Sequence, residues 1–116
     1  MKLTIYTANS RGKQSNTFYP NKSIIDSEEE MLKAVCFDHV CGEFKGNRRS
    51  VDNFLNSNCL VMDNDNIHSD SPDDWIRPED YADMFPDVAF IVVPSRNNMK
   101  PKDGNHPVQD IMCISR

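Results

Sequence analysis

The apolar residues of this chain occur in short runs, and the longest is the six-residue run Val88–Val93. Such a run is typical of a strand that is buried on both faces, so we predict that it lies at the centre of a sheet. Leu3–Ala8 and the run near residues 59–63 are predicted to be strands of the same sheet. None of the runs is long enough to span a bilayer. A chain of 116 residues is predicted to form one domain with one modest core.

The first predicted helix follows Ser27, since a serine with a glutamate three residues later, here Glu30, is the pattern of a capping box. In this arrangement the serine accepts from an amide of the first turn and the glutamate reaches back to the cap. We expect the helix to span about residues 28–36. Its apolar face is predicted to consist of Met31, Leu32 and Val35.

A second helix is predicted near residues 78–84, because Pro78 suits the first turn and Pro86 ends the segment. Residues 9–22 are polar and are predicted to form a loop. Strands therefore alternate with helices along the chain. This order predicts an α+β fold, with a small mixed sheet and two or three helices packed on it.

The net charge of -5 makes direct binding of nucleic acid an unfavourable prediction. The first residues lack the apolar stretch of a signal peptide, so we expect the protein in a host bacterial cytoplasm and away from membranes. Between residues 61 and 90, nine acids stand against one base, Arg77. Either this segment is a solvated surface, or it binds metal ions or a basic partner. The acids predicted to bind a partner are Asp70, Asp73, Asp74, Glu79 and Asp80.

Asp63 and Asp65 follow an apolar run with one residue between them, which puts both carboxylates on one face of a strand. Two neighbouring carboxylates repel each other unless a cation lies between them, so the pair predicts a site for Mg²⁺ or Mn²⁺. His68 is a third ligand in this hypothesis, which would also admit Zn²⁺. The alternative is an ordinary loop that opens with acidic residues.

Cysteine and histidine provide a second predicted metal site. In a cytoplasm, thiols are free or bind metals rather than forming disulfides. The spacing is tighter than that of the common zinc fingers, and the alternative is a set of buried thiols with a hydrogen-bonded histidine. The ligands of this second set are Cys36, His39, Cys41 and Cys59.

The sequence between residues 33 and 104 resembles primases of the archaeo-eukaryotic type that phages and mobile elements carry. The resemblance rests on Phe37–Cys41, Val51–Phe54, Val61–Asp70, Asp74–Asp80, Phe85–Val88 and Ser95–Lys100. It implies the compact fold of a primase palm. It also implies that Asp63 and Asp65 correspond to the aspartates that hold the catalytic metals of nucleotidyl transfer.

The tail departs from this family. Members continue with a basic, proline-containing stretch, a strand whose histidine contacts the nucleotide phosphates, and a later acidic ligand, whereas this chain continues as Asn105–Arg116. Back-translation of the tail, shifted by one base, spells that missing strand with permitted codons. We therefore infer a frameshift near Gly104–His106, a truncated primase-like domain over residues 1–104 and a divergent tail over residues 105–116.

Loss of the later motifs predicts that the protein is not an enzyme. The leading hypothesis is a phage or mobile-element protein that binds its target stoichiometrically. Size and acidity favour an anti-CRISPR inhibitor that blocks target-DNA loading of an RNA-guided type II nuclease, because these host defence nucleases hold nucleic acid in basic channels. The alternatives are a fragment of a metal-dependent DNA primase or nucleotidyltransferase, and an inert decay product of a primase gene.

Overall fold

The computed structural model describes residues 2–94 and 98–99, and the backbone alone of Asp110–Ser115. Its architecture is α+β, as the sequence predicts, with short antiparallel sheets and two α-helices in the described residues. The chain divides into two compact units, one ending at Leu60 and one beginning at Val61. None of the described helices is long and apolar enough to cross a membrane.

The first unit contains a three-stranded sheet with β1 (Leu3–Thr7) between β2 (Asn21–Ile25) and β3 (His39–Val40). Both neighbours of β1 run antiparallel to it. Leu3 and Ile5 of β1 are fully buried, and they form the centre of this unit's core. A loop is predicted over residues 9–22, but β2 begins at Asn21, so the loop ends two residues earlier.

Helix α1 (Glu28–Ala34) begins where the capping pattern predicts. The Glu30 amide donates to the Ser27 hydroxyl at 3.2 Å, whereas the Glu30 carboxylate accepts from the amide of Asp26 instead of that of Ser27. The predicted apolar face is wrong in part, since Leu32 is 58% exposed and Val35 lies beyond the last helical residue. A seven-residue helix has two turns at most, and the spacing that faces inward is that of Met31 and Ala34.

The first unit also contains a hairpin, formed by β4 (Glu43–Phe44) and β5 (Phe54–Asn56). Its rings meet edge to face, with the centroids of Phe44 and Phe54 5.8 Å apart. A short 3₁₀ turn, Lys45–Asn47, follows β4, and Gly46 adopts a left-handed φ of 64° there. Residues 37–44, whose pattern fits either a strand or an irregular link, contain the two short strands β3 and β4.

The second unit begins at the second residue of β6 (Leu60–Asp65) and contains α2 (Pro78–Met84), β7 (Phe90–Pro94) and β8 (Asp110–Ser115). The strand order is β6-β8-β7, and β7 pairs antiparallel with β8. Tyr81 of α2 is buried against side chains from β6 and β7, including Met62 and Phe90. The helix thus covers one face of this sheet, and the acidic segment joins β6 to α2.

The predicted central position of Val88–Val93 is wrong, because β7 lies at one end of this strand order and β8 lies in the middle. The single sheet predicted from residues 3–8, 59–63 and 88–93 is also wrong, since β1 belongs to a different sheet. A continuous apolar run indicates that the side chains on both faces are covered, but it does not indicate whether the strand has one or two hydrogen-bonded neighbours. Here Tyr81 packs against Phe90 and Val92, while the strand from the tail occupies the centre.

Candidate functional site

The segment between β6 and α2 is a closed loop, which we call the acidic loop (residues 66–77). Asn66 is fully buried, and its side chain pairs with the backbone of Ile76. The side-chain NH₂ of Asn66 donates to the backbone carbonyl of Ile76 at 3.0 Å, and the side-chain oxygen of Asn66 accepts from the backbone amide of Ile76 at 2.9 Å. Asn64 donates to the same Ile76 carbonyl at 3.1 Å. The two ends of the loop are therefore held together, as in a compact Ω-loop.

Hydrogen bonds also cross the interior of the acidic loop. The Trp75 indole donates to the Ser69 carbonyl at 2.8 Å, and the Ser69 hydroxyl donates to the Asp74 carboxylate at 3.0 Å. His68 Nε2 lies 2.8 Å from the Asp74 carbonyl oxygen. Because a carbonyl oxygen only accepts, Nε2 carries the proton and donates. These bonds fix the backbone on which the acidic side chains are displayed.

The five acids predicted to bind a partner are all exposed, and the structure divides them by role. Asp74 and Asp80 accept hydrogen bonds inside their own segment, Asp74 from Ser69 and Asp80 from the amide of Arg77 at 2.7 Å. In the described part of the chain, Asp73 and Glu79 take part in no ion pair. Asp70 is the fifth exposed acid. Asp73 and Glu79 are therefore the best positions at which to test contact with a partner.

Arg77 does not offset the acids of the loop through a side-chain ion pair among the described residues. Its guanidinium donates to the backbone carbonyl of Pro72 at 2.8 Å, so it binds the backbone of the acidic loop. The acidic loop and the first turn of α2 consequently form one continuous segment whose exposed charges are mostly negative. A surface of this kind attracts a basic partner.

Asp63 and Asp65 share a face of β6, as their spacing predicts. Asp63 is exposed, whereas Asp65 is half-buried and its Oδ1 is buried. His68 uses Nε2 within the acidic loop, and across the described residues no three metal-ligating side chains form a group. Two carboxylates suit Mg²⁺ or Mn²⁺, which keep several waters, but they do not supply the four ligands of a structural zinc site.

The structure brings together two members of the cysteine and histidine set. Cys41 and Cys59 are half-buried neighbours, and burial together with the adjacent Cys59 raises the pKa of the Cys41 thiol to about 12. Cys36 is exposed and its thiol donates to the Leu32 carbonyl, while His39 Nδ1 donates to the Phe37 carbonyl at 2.9 Å. Within the described residues, the four predicted ligands therefore do not come together as a group.

Asn66 is the residue of this site that sequence reasoning did not identify. An asparagine after two aspartates resembles any polar residue that opens a loop. Its importance follows from complete burial and from its pairing with Ile76, which lies ten positions further along the chain. No local sequence pattern indicates such a pairing.

No protein-family model, curated protein or solved structure matches this chain. The features of this chain that bear on function are the acidic loop, α2 and the carboxylate pair on β6.

Proposed function

We propose that the protein is a non-catalytic anti-CRISPR inhibitor, which binds a host RNA-guided type II nuclease stoichiometrically and blocks its loading of target DNA. The observation that carries the proposal is the acidic loop, a hydrogen-bonded frame that displays exposed carboxylates. The nuclease offers a positively charged channel that holds nucleic acid. The protein acts in the bacterial cytoplasm, where this target is found.

The hydrogen bonds within the acidic loop support this role because they order the loop before binding. Ordering a flexible segment opposes association, so a loop already closed by Asn66 and Ile76 avoids part of that cost. Carboxylates spaced along a fixed backbone are then suited to replace phosphates against arginine and lysine side chains. The loop acts in this proposal as a rigid mimic of a short stretch of nucleic-acid backbone.

Charge provides the second support. Nine acids against one base lie between residues 61 and 90. Negative charges at this density repel the phosphates of DNA, and they are attracted to the positively charged groove that DNA would occupy. Complementary potentials raise the association rate and exclude partners of the wrong sign. The mode of inhibition that follows is competition with target DNA.

The test is a DNA-cleavage assay with guide-loaded type II nucleases, in which the protein is added before or after the target DNA. We expect inhibition at micromolar concentration or below when the protein is added first, and little inhibition when DNA is already loaded. Absence of inhibition in both orders, across several type II nucleases, would contradict the proposal.

The surface is tested with the double substitution Asp73→Asn and Glu79→Gln, which changes two exposed acids that have no ion pair in the described structure. We expect at least about a tenfold weaker inhibition, equivalent to 1.4 kcal/mol or more. The matched control is Glu28→Gln and Asp52→Asn, two exposed acids of the first unit with the same change in charge. Equal inhibition by the two variants would remove the acidic loop and α2 as the contact.

The alternative proposal is a fragment of a metal-dependent DNA primase or nucleotidyltransferase. The shared face of Asp63 and Asp65 on β6 favours it, because such pairs hold divalent ions near a transferred phosphoryl group. Phosphoryl transfer also requires groups that clamp the triphosphate. Incubation with template, nucleotides and Mn²⁺ separates the proposals, and we expect no primer. Primer synthesis that Asp63→Asn abolishes would replace the inhibitor proposal with this one.

A further inference from the structure

Cys41 and Cys59 lie on the two chain segments that form the base of the β4–β5 hairpin. Glu43 pairs with Asn56 in this hairpin. When the antiparallel register is continued away from the turn, Gly42 comes beside Ser57 and Cys41 comes beside Asn58, the residue before Cys59. The hairpin therefore brings Cys41 within one residue of the position opposite Cys59.

The hydroxyl of Ser57 connects the backbones of the two cysteines. It lies 2.6 Å from the Cys41 carbonyl oxygen, to which it donates, and it accepts from the Cys59 amide at 3.1 Å. One side-chain atom is thus hydrogen-bonded to both residues. This arrangement fixes the spacing of the segments without relying on the sulfur atoms.

Strand β1 gives an independent reference for the two cysteines. The residue before Cys41, Val40, pairs with Tyr6 of β1. The Cys59 thiol donates to the carbonyl of Thr4, also of β1, at a distance of 3.7 Å. Both segments therefore approach the same stretch of one strand, and both cysteines are half-buried there.

We propose that Cys41 and Cys59 form an intramolecular disulfide that closes the base of the hairpin when the protein meets a small-molecule disulfide such as oxidised glutathione. The side chains of Cys41 and Cys59 are hydrogen-bonded to each other, so their sulfur atoms already lie close together. A disulfide then requires the Cα atoms to be about 4.4–6.8 Å apart, a separation that neighbouring antiparallel segments provide.

The reaction is thiol–disulfide exchange in two steps. The Cys59 thiolate attacks one sulfur of the oxidised glutathione, which forms a mixed disulfide and releases one glutathione thiolate. Cys41 then loses its proton to solvent and attacks the Cys59 sulfur, which breaks the mixed disulfide and releases the second glutathione. Two protein thiols are oxidised, and one small-molecule disulfide is reduced to two thiols.

Both steps accelerate as the pH rises, because the thiolate is the nucleophile in thiol–disulfide exchange. The pair is a thiol pair in a reducing compartment and becomes a disulfide on oxidation.

The experiment uses the full chain with Cys36→Ser and Cys113→Ser, which leaves Cys41 and Cys59 as the remaining cysteines. The reduced protein is incubated with oxidised glutathione and followed by intact mass. We expect transient addition of one glutathione, then a monomer that has lost two hydrogen atoms. The exchange is expected to accelerate as the pH rises, and the melting temperature to rise by about 10 °C because the bond closes the loop.

Peptide mapping of the oxidised wild-type chain gives a test that does not depend on these substitutions. A peptide pair that links Cys41 to Cys59 supports the proposal. Glutathione retained on both cysteines, a disulfide between two copies of the chain, or a bond from either residue to Cys36 or Cys113 would overturn it.

Discussion

At the scale of single residues, Cys41 links packing to pH. Its thiol is half-buried beside Cys59, and burial raises its pKa from 9.0 to about 12. The folded state therefore favours the neutral thiol, while the unfolded chain ionises at the ordinary pKa. The stabilisation is complete below about pH 9 and is lost as the pH rises from 9 towards 12.

This linkage predicts that the free energy of unfolding falls by up to about 1 kcal/mol per pH unit above pH 9. We expect Cys41→Ala to reduce the slope, because alanine cannot ionise. Urea denaturation between about pH 7 and pH 10 measures the effect. Burial also raises the pKa of Tyr6, which adds a slope of the same sign above pH 10.0. The control is Cys36→Ala, an exposed thiol, and an equal effect of both substitutions would contradict the assignment to Cys41.

Asp63 and Asp65 carry the prediction of a divalent ion at the residue scale. Because two carboxylates leave most coordination positions to water, we expect Mn²⁺ to bind weakly, with a dissociation constant on the order of 10⁻⁴–10⁻³ M. Electron paramagnetic resonance of the free ion measures this binding directly. The double substitution of both residues by Asn is expected to abolish it, and Glu28→Gln with Asp52→Asn is the charge-matched control. Undiminished binding by the Asp63/Asp65 variant would place the site elsewhere.

At the scale of elements, the acidic loop depends on one buried amide. Replacing Asn66 by Ala removes its bonds to the Ile76 amide and carbonyl, and it leaves the Ile76 amide without that partner at a part-buried position. The loss of such a hydrogen bond costs on the order of 1 kcal/mol. We expect the loop to open and the fluorescence of Trp75, the single tryptophan of the chain, to shift to longer wavelength.

The matched control for this experiment is Asn56→Ala, because Asn56 is exposed and bonds the Glu43 side chain at the hairpin. Its substitution should leave the tryptophan emission unchanged. If Asn66→Ala also leaves the emission and the unfolding midpoint unchanged, then the loop is held by other contacts, and the argument from a pre-ordered acidic surface fails.

The elements also show what a sequence can predict. Ser27 and Pro78 mark the beginnings of both helices correctly, because capping and the first-turn position of proline are local properties. The predicted apolar face of α1 was wrong in part, because this seven-residue helix buries only Met31 and Ala34. The position of Val88–Val93 within its sheet was also wrong. Strand order depends on partners distant in sequence, and here the partner is Asp110–Ser115.

At the scale of the whole molecule, the sequence predicted the exposure of the acids but not the frame that holds them. Composition alone indicates that Asp70, Asp73 and Glu79 are solvated, as they are. The pairing of Asn66 with Ile76 joins residues without any periodic relation, and the contact of Cys41 with Cys59 depends on the hairpin between them. Local patterns thus identify chemical groups, while the fold decides which of them meet.

The whole-molecule charge leads to a prediction about binding kinetics. If the proposed function holds, a chain of net charge -5 with its acids concentrated on the second unit is attracted to the basic channel of its target over a long range. Salt screens this attraction, because the Debye length falls from roughly 14 Å at 50 mM to 6 Å at 300 mM. We expect the association rate with the guide-loaded nuclease to fall about tenfold over this range, while the dissociation rate changes little. Stopped-flow fluorescence of Trp75 or surface plasmon resonance measures both rates.

Asp73→Asn with Glu79→Gln should lower the association rate at low salt and flatten its salt dependence, whereas Glu28→Gln with Asp52→Asn should affect it less. An association rate that is independent of salt would show that the acids do not steer the encounter, and the contact would then have to lie on an uncharged surface.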